Sequence, residues 1–136
     1  MFFTEFFRVH ANSRLDDAIL SSITENPSGK PVLAQMIGEN LDDLVRTAKD
    51  LQKYSIAGVD LNLGCPAPRV YRKNVGGGLL REPLRVDEIL KALRESVEGP
   101  LTVKMRFGFE DDRHFRTFLE ILDKRKVDLV SVHART

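Results

Sequence analysis

Two kinds of apolar spacing alternate along the chain, one helical and one of short continuous runs. Leu15, Ala18 and Ile19 stand at i, i+3 and i+4 and predict a first helix, with Asn12 and Ser13 as its expected caps. After Asn40, the residues Leu41, Leu44, Val45, Ala48 and Leu51 keep helical spacing and predict a second. A third is expected from Pro83, a residue suited to a first helical turn, through Val86, Ile89, Leu90, Leu93 and Val97. A fourth opens on Glu110, Asp111 and Asp112, whose charge suits a helix N-terminus. Its expected inward stripe is Phe115, Phe118, Leu119 and Leu122, and Lys124, Arg125 and Lys126 suit its end. Runs of strand length separate these helices, at residues 31–36, 58–63, 100–105 and 127–132, with Phe2, Phe3, Phe6 and Phe7 as a further candidate.

Strands alternating with helices of this length predict βαβ units and a parallel sheet. The runs are nearly unbroken in apolar residues, as strands covered by helices require. Polar or reactive residues gather at their C-terminal ends: Gln35, Asn62 with Cys65, Lys104 with Arg106, and His133 with Arg135. In α/β folds the site forms at the carboxyl ends of parallel strands, and in a (β/α)8 barrel all of these would converge on one face. The expected architecture is therefore α/β, a partial TIM (β/α)8 barrel of about four βα units occupying residues 1–136. A full barrel takes about 250 residues, and the chain begins and ends as if inside such a repeat, so it reads as a piece of a larger barrel.

Composition narrows the picture only slightly. With 21 Lys plus Arg against 20 Asp plus Glu, the net charge of +1 gives no global pull towards nucleic acid or an anionic surface, although a local patch remains open. No apolar run approaches the roughly 20 residues of a membrane span, and the N-terminus lacks the pattern of a signal peptide. The single cysteine excludes an internal disulfide and makes a reducing, cytoplasmic setting the expectation. His10, His114 and His133 show no spacing of a metal-ligand set.

The sharpest local feature is Leu61-Asn62-Leu63-Gly64-Cys65-Pro66. A thiol on the loop past a parallel strand, after a permissive glycine, is placed to donate a proton or attack a substrate. The competing reading, a small buried hydrophobe, stands beside it on position alone. Downstream, the basic stretch Arg69-Val70-Tyr71-Arg72-Lys73 precedes Gly76-Gly77-Gly78. These glycines fit neither a Walker loop nor a dinucleotide fingerprint and suggest a mobile lid over residues 66–80, or else a flexible turn. Lys104 and Arg106 lie on one side of a strand, and cations inside a barrel mouth call for an electron-rich or anionic partner. His133 is open between a structural role and that of a ligand, base or donor.

Taken in order, these segments resemble the tRNA-dihydrouridine synthase family, FMN-dependent enzymes with a TIM-barrel catalytic domain. Thr4-Glu5, Gln35-Met36-Ile37-Gly38, Asp60-Leu61-Asn62-Leu63-Gly64-Cys65-Pro66, the Gly76–Leu80 stretch, Val103-Lys104-Met105-Arg106 and His133-Ala134-Arg135-Thr136 follow the family's sequence of motifs. The resemblance implies NADPH-driven reduction of a uridine in tRNA to 5,6-dihydrouridine, with Cys65 as proton donor. It places Gln35, Lys104 and His133 at the flavin ring, and Asn62 and Arg106 at the target uracil.

The same resemblance marks what the chain does not carry: the family's first strand, its later phosphate-binding loops and its C-terminal tRNA-binding helical domain. The chain alone is therefore expected to hold FMN poorly, and open barrel edges make self-association an expectation. Two alternatives stay open: another FMN barrel, such as a dihydroorotate or dihydropyrimidine dehydrogenase, and a non-catalytic barrel fragment. The Gly-Cys-Pro context and the His-x-Arg-Thr ending favour the tRNA enzyme.

Overall fold

The computed structural model describes residues 1–136, the side chain of Tyr71 excepted. Six parallel strands form one sheet: β1 (Phe2–Phe3), β2 (Phe7–Arg8), β3 (Val32–Ile37), β4 (Gly58–Leu63), β5 (Leu101–Arg106) and β6 (Leu129–His133). Spatial order is β1-β3-β4-β5-β6, with β2 continuing along β3 where β1 leaves it. The sheet curls into half of a barrel, so the α/β expectation of a partial TIM barrel holds. The single N-terminal strand expected from the four phenylalanines is in fact two short ones. Three residues lie between Phe3 and Phe7 where two lie between their partners Leu33 and Met36. The extra residue is a bulge, and it breaks the strand at Thr4. There the Thr4 hydroxyl accepts the Gln35 backbone N–H at 3.0 Å.

The helices are α1 (Asp17–Thr24), α2 (Leu41–Leu51), α3 (Pro68–Tyr71), α4 (Pro83–Ser96) and α5 (Phe115–Lys124), with a 3-10 helix at Gly76–Arg81. The second and third expected helices form as read. Asn40 caps α2 by accepting the Asp43 N–H at 3.0 Å, and Pro83 opens α4. Two starts differ from expectation. The cap of α1 is Asp16, which accepts from the Ala18 and Ile19 N–H groups. Ser13 instead exchanges hydrogen bonds with the His10 backbone, so it closes a turn before the helix. The acids 110–112 likewise form a turn ahead of α5, with Asp111 held by Arg113 and Glu110 by Arg81. Because α5 starts at Phe115, its core stripe is Phe118, Ile121 and Leu122, while Leu119 is 45% exposed. At about 100° per residue, Leu119 lies outside the arc that the other three share.

One core lies between the convex face of the sheet and the helices. Alternate strand residues, Val32, Ala34 and Met36, Val59, Leu61 and Leu63, and Leu101, Val103 and Met105, are buried there. They meet Leu44, Ala48 and Leu51 of α2, Val86, Ile89, Leu90 and Leu93 of α4, and Phe118 and Leu122 of α5. Beyond α4, Arg94 clamps the chain: its guanidinium donates to the carbonyls of Val97, Gly99 and Lys126 and to Asp128. This core face turns the other strand face, with its polar residues, towards the concave side. Among the described residues no helix is long and apolar enough to cross a membrane.

Candidate active site

The strand register builds the site. Gln35 pairs with Asp60, Asp60 with Thr102, Asn62 with Lys104, and Arg106 with His133. Side chains alternate across a strand, so all of these share the concave face. At its carboxyl end, Gln35, Asn62, Cys65, Lys104, Arg106 and His133 line one hollow of about 280 Å³, together with Phe6, Gly64, Pro66 and Met105. Six of the seven strand-end residues named from the sequence thus meet in one place, and Arg135 is not among the residues lining it. Larger hollows exist, one of about 710 Å³ between α1 and α2, but they hold none of these six.

Beneath the hollow runs a continuous hydrogen-bonded chain. Thr102 Oγ1 donates to Asp60 Oδ1. Gln35 Nε2 donates to Asp60 Oδ2 at 2.7 Å, and Asn62 Nδ2 donates to Gln35 Oε1 at 2.9 Å. Asn62 Oδ1 then accepts the N–H groups of Gly64 and Cys65, at 2.9 and 3.0 Å. This last pair is an Asx turn, in which a side-chain oxygen replaces a backbone acceptor and fixes the loop that bears the thiol. Asp60 is fully buried. Burial pushes its carboxyl above the usual carboxylate range, while the hydrogen bonds from Thr102 and Gln35 and the charge of Lys104 pull it down.

The cysteine loop has two further supports. Gly77 N–H donates to the Cys65 carbonyl at 3.1 Å, and Arg106 Nε donates to the Gly64 carbonyl at 2.8 Å. The Gly76–Gly78 segment was expected as a mobile lid or a flexible turn. It is buried in the 3-10 helix beneath the loop. Gly76 has φ +56°, a conformation that L side chains rarely adopt, and a Cβ on Gly77 would stand 2.9 Å from the Cys65 carbonyl oxygen. Gly77 permits close packing of backbone against backbone, and Gly76 packs against the side chains of Ile37, Val70 and Cys65.

Several cations shape the electrostatics. Lys104 is exposed to the concave side and has no ion pair among the described residues. Arg106 spends Nε on Gly64 and one Nη on the Thr136 carbonyl at 3.2 Å. Beside the cysteine loop, Arg69, Arg72 and Lys73 line a neighbouring hollow of about 660 Å³ with Arg8 and His10. These three are exposed and unpaired among the described residues. Sequence reading missed Asp60, Thr102 and Phe6 as members of the site. The signal for Asp60 was present: it shares the period-2 face of Asn62 inside an otherwise apolar strand.

Comparison with known proteins identifies the family. The family model described as dihydrouridine synthase matches residues 1–136. The chain belongs to the dihydrouridine synthase family. It is 33% identical to the tRNA-dihydrouridine(16) synthase of Vibrio cholerae, over 98% of this chain and 44% of that protein. It is 37% identical to the enzyme of the same name from Neisseria meningitidis, over 80% of this chain and 33% of that protein. It is 28% identical to the probable tRNA-dihydrouridine synthase 2 of Bacillus subtilis, over the whole chain and 42% of that protein. The chain thus spans less than half the length of these relatives.

Proposed function

We propose that the protein carrying this chain reduces a uridine of tRNA to 5,6-dihydrouridine, using FMN and NADPH. The observation that carries the reading is the convergence of Gln35, Asn62, Cys65, Lys104, Arg106 and His133 on one hollow at the strand ends, in a chain of the dihydrouridine synthase family. The donor set fits the polar edge of a flavin ring: an amide, an ammonium with no ion pair among the described residues, and an imidazole around a concave floor. Gln35, Lys104 and His133 would hold that edge, and the Lys104 charge would favour an anionic ring. Bound FMN, charged by NADPH, would supply the hydride that adds to C6 of the uracil.

The chain's own residues supply the rest. As C6 gains hydride, the C5=C6 double bond becomes an electron pair on C5, and Cys65 Sγ–H donates a proton there. The thiolate left behind takes its next proton from solvent. Two hydrogens are thereby added across C5=C6 and none is lost. Asn62 keeps one Nδ2–H beyond its bond to Gln35, and Arg106 keeps an Nη group, so both have donors for the uracil carbonyls. The uridine would have to leave its stack to reach this depth. The exposed Arg69, Arg72 and Lys73 beside the loop suit the phosphodiester backbone of such a partner. Exposed apolar residues on both edge strands, Phe2 and Phe3 on β1 and Leu129 and Val132 on β6, support self-association of the chain by itself.

The test is incubation of the whole protein with FMN, NADPH and a tRNA transcript free of modification, followed by mass analysis of its nucleosides. Gain of two hydrogens by a uridine is the expected result. Unchanged tRNA together with turnover of free pyrimidines would overturn it.

A further inference from the structure

We infer that Asp60 is a positioning residue for Cys65, acting through the side-chain amides of Gln35 and Asn62. An amide side chain is directional, with an oxygen that only accepts and a nitrogen that only donates. Asp60 offers acceptor oxygens to both of its neighbours, Thr102 Oγ1 and Gln35 Nε2. The Gln35 nitrogen must therefore face Asp60, which leaves its oxygen facing Asn62. Asn62 in turn must present its nitrogen to Gln35 and its oxygen to the Gly64 and Cys65 N–H groups.

Reversal of Asn62 would set nitrogen against the N–H groups of the cysteine loop, and reversal of Gln35 would set oxygen against Asp60 and nitrogen against Asn62. Either leaves buried polar groups unpaired, which is costly. One acceptor at the centre of β4 thus fixes the orientation of two side chains and the turn that carries the thiol. It also fixes which group Asn62 shows to the hollow, an N–H donor suited to a carbonyl oxygen. Among the described residues the side-chain hydrogen bonds of Asp60 go to Thr102 and Gln35 and not to the loop, so its influence on Cys65 runs through the relay. That influence matters for turnover only if Cys65 acts at the substrate ring, and in this the inference rests on the reading above.

Cys65 is the chain's only cysteine, so its alkylation by iodoacetamide at fixed pH reports the loop without any cofactor or RNA. The informative pair is Asp60→Val, of similar size and without an acceptor, and Asp60→Asn, which keeps an acceptor oxygen for Gln35 when Thr102 receives its N–H. Asp60→Val is expected to speed alkylation about fivefold or more as the Asx turn loosens. Asp60→Asn is expected to stay within about twofold of the parent, because the relay persists. A rate for Asp60→Val within twofold of the parent, or equal rates for the two variants, would overturn the inference. Should Asp60→Val fail to melt cooperatively, Gln35→Met cuts the same relay one link further on with little change of shape. A raised rate there supports the relay and an unchanged rate overturns it. None of these rates depends on dihydrouridine formation, so loss of the positioning role and loss of the enzymatic reading are separate results.

Discussion

Arg106 Nε donates to the Gly64 carbonyl at 2.8 Å, so a cation at the end of β5 holds the backbone next to the cysteine at the end of β4. The planar guanidinium serves this geometry because Nε and the Nη groups donate in one plane from fixed positions. Arg106→Lys keeps the charge and loses the fork. It is therefore expected to reduce dihydrouridine formation by the whole protein about as much as Arg106→Ala, roughly 10- to 100-fold, as displacement of a positioned group does. Steady-state rates on tRNA check this, and a fully active Arg106→Lys would show that charge alone matters.

Gly77 lies under the same loop. A methyl group there meets the Cys65 carbonyl oxygen at 2.9 Å, and a backbone atom has little room to yield. Gly77→Ala is expected to cost about 1–3 kcal/mol of stability, the usual range for overpacking. Denaturant unfolding measures it, and a change below 0.5 kcal/mol, roughly the scatter of surface substitutions, would show that the loop relaxes freely.

Acid should weaken the seam between α4 and α5. Asp87 receives hydrogen bonds from Arg125 at 2.7 Å and from Lys124 at 3.2 Å, and these hold its carboxyl down to about 2 from 3.8. A carboxyl lowered on folding stabilises the fold above its unfolded value, and that stability fades as pH falls from 3.8 towards about 2. Asp87→Asn is thus expected to destabilise the chain at neutral pH and to match the parent at pH near 2. Thermal melts of both proteins across this range provide the check.

The basic segment after the cysteine gives a salt-dependent expectation. If Arg69, Arg72 and Lys73 meet phosphates, replacing all three with alanine should lower the slope of log affinity against log salt by about 2, since each released counterion adds about 0.7 on a flexible strand. Fluorescence anisotropy with a tRNA transcript measures the slope, and an unchanged slope would remove this face from the RNA interface.

Much of this was legible in the sequence, and the residues explain where it was not. Helix α2 carries its own cap, Asn40, and α4 its own first-turn proline, Pro83, and each has a complete apolar face, so local pattern decided them. The start of α5 was misread because Glu110 and Asp111 suit a helix N-terminus and equally suit ion pairs with Arg81 and Arg113, which only the folded chain brings to them. At Gly76–Gly78 composition records freedom of φ and not what packs against it, so the burial of this segment was not legible. The six residues that line the hollow were readable as positions at or just past the strand ends. The relay through Asp60 was not, because it depends on the register of three strands, and register is a property of the sheet.

The most direct measurement compares the whole protein with its Cys65→Ala variant on an unmodified tRNA transcript with FMN and NADPH. The expected result is dihydrouridine from the parent, and from the variant a rate lower by roughly 100-fold or more with flavin still bound, as loss of a general acid requires. A variant as fast as the parent, or a parent that leaves every uridine unreduced, would contradict the assignment of the strand-end hollow as the site of uridine reduction.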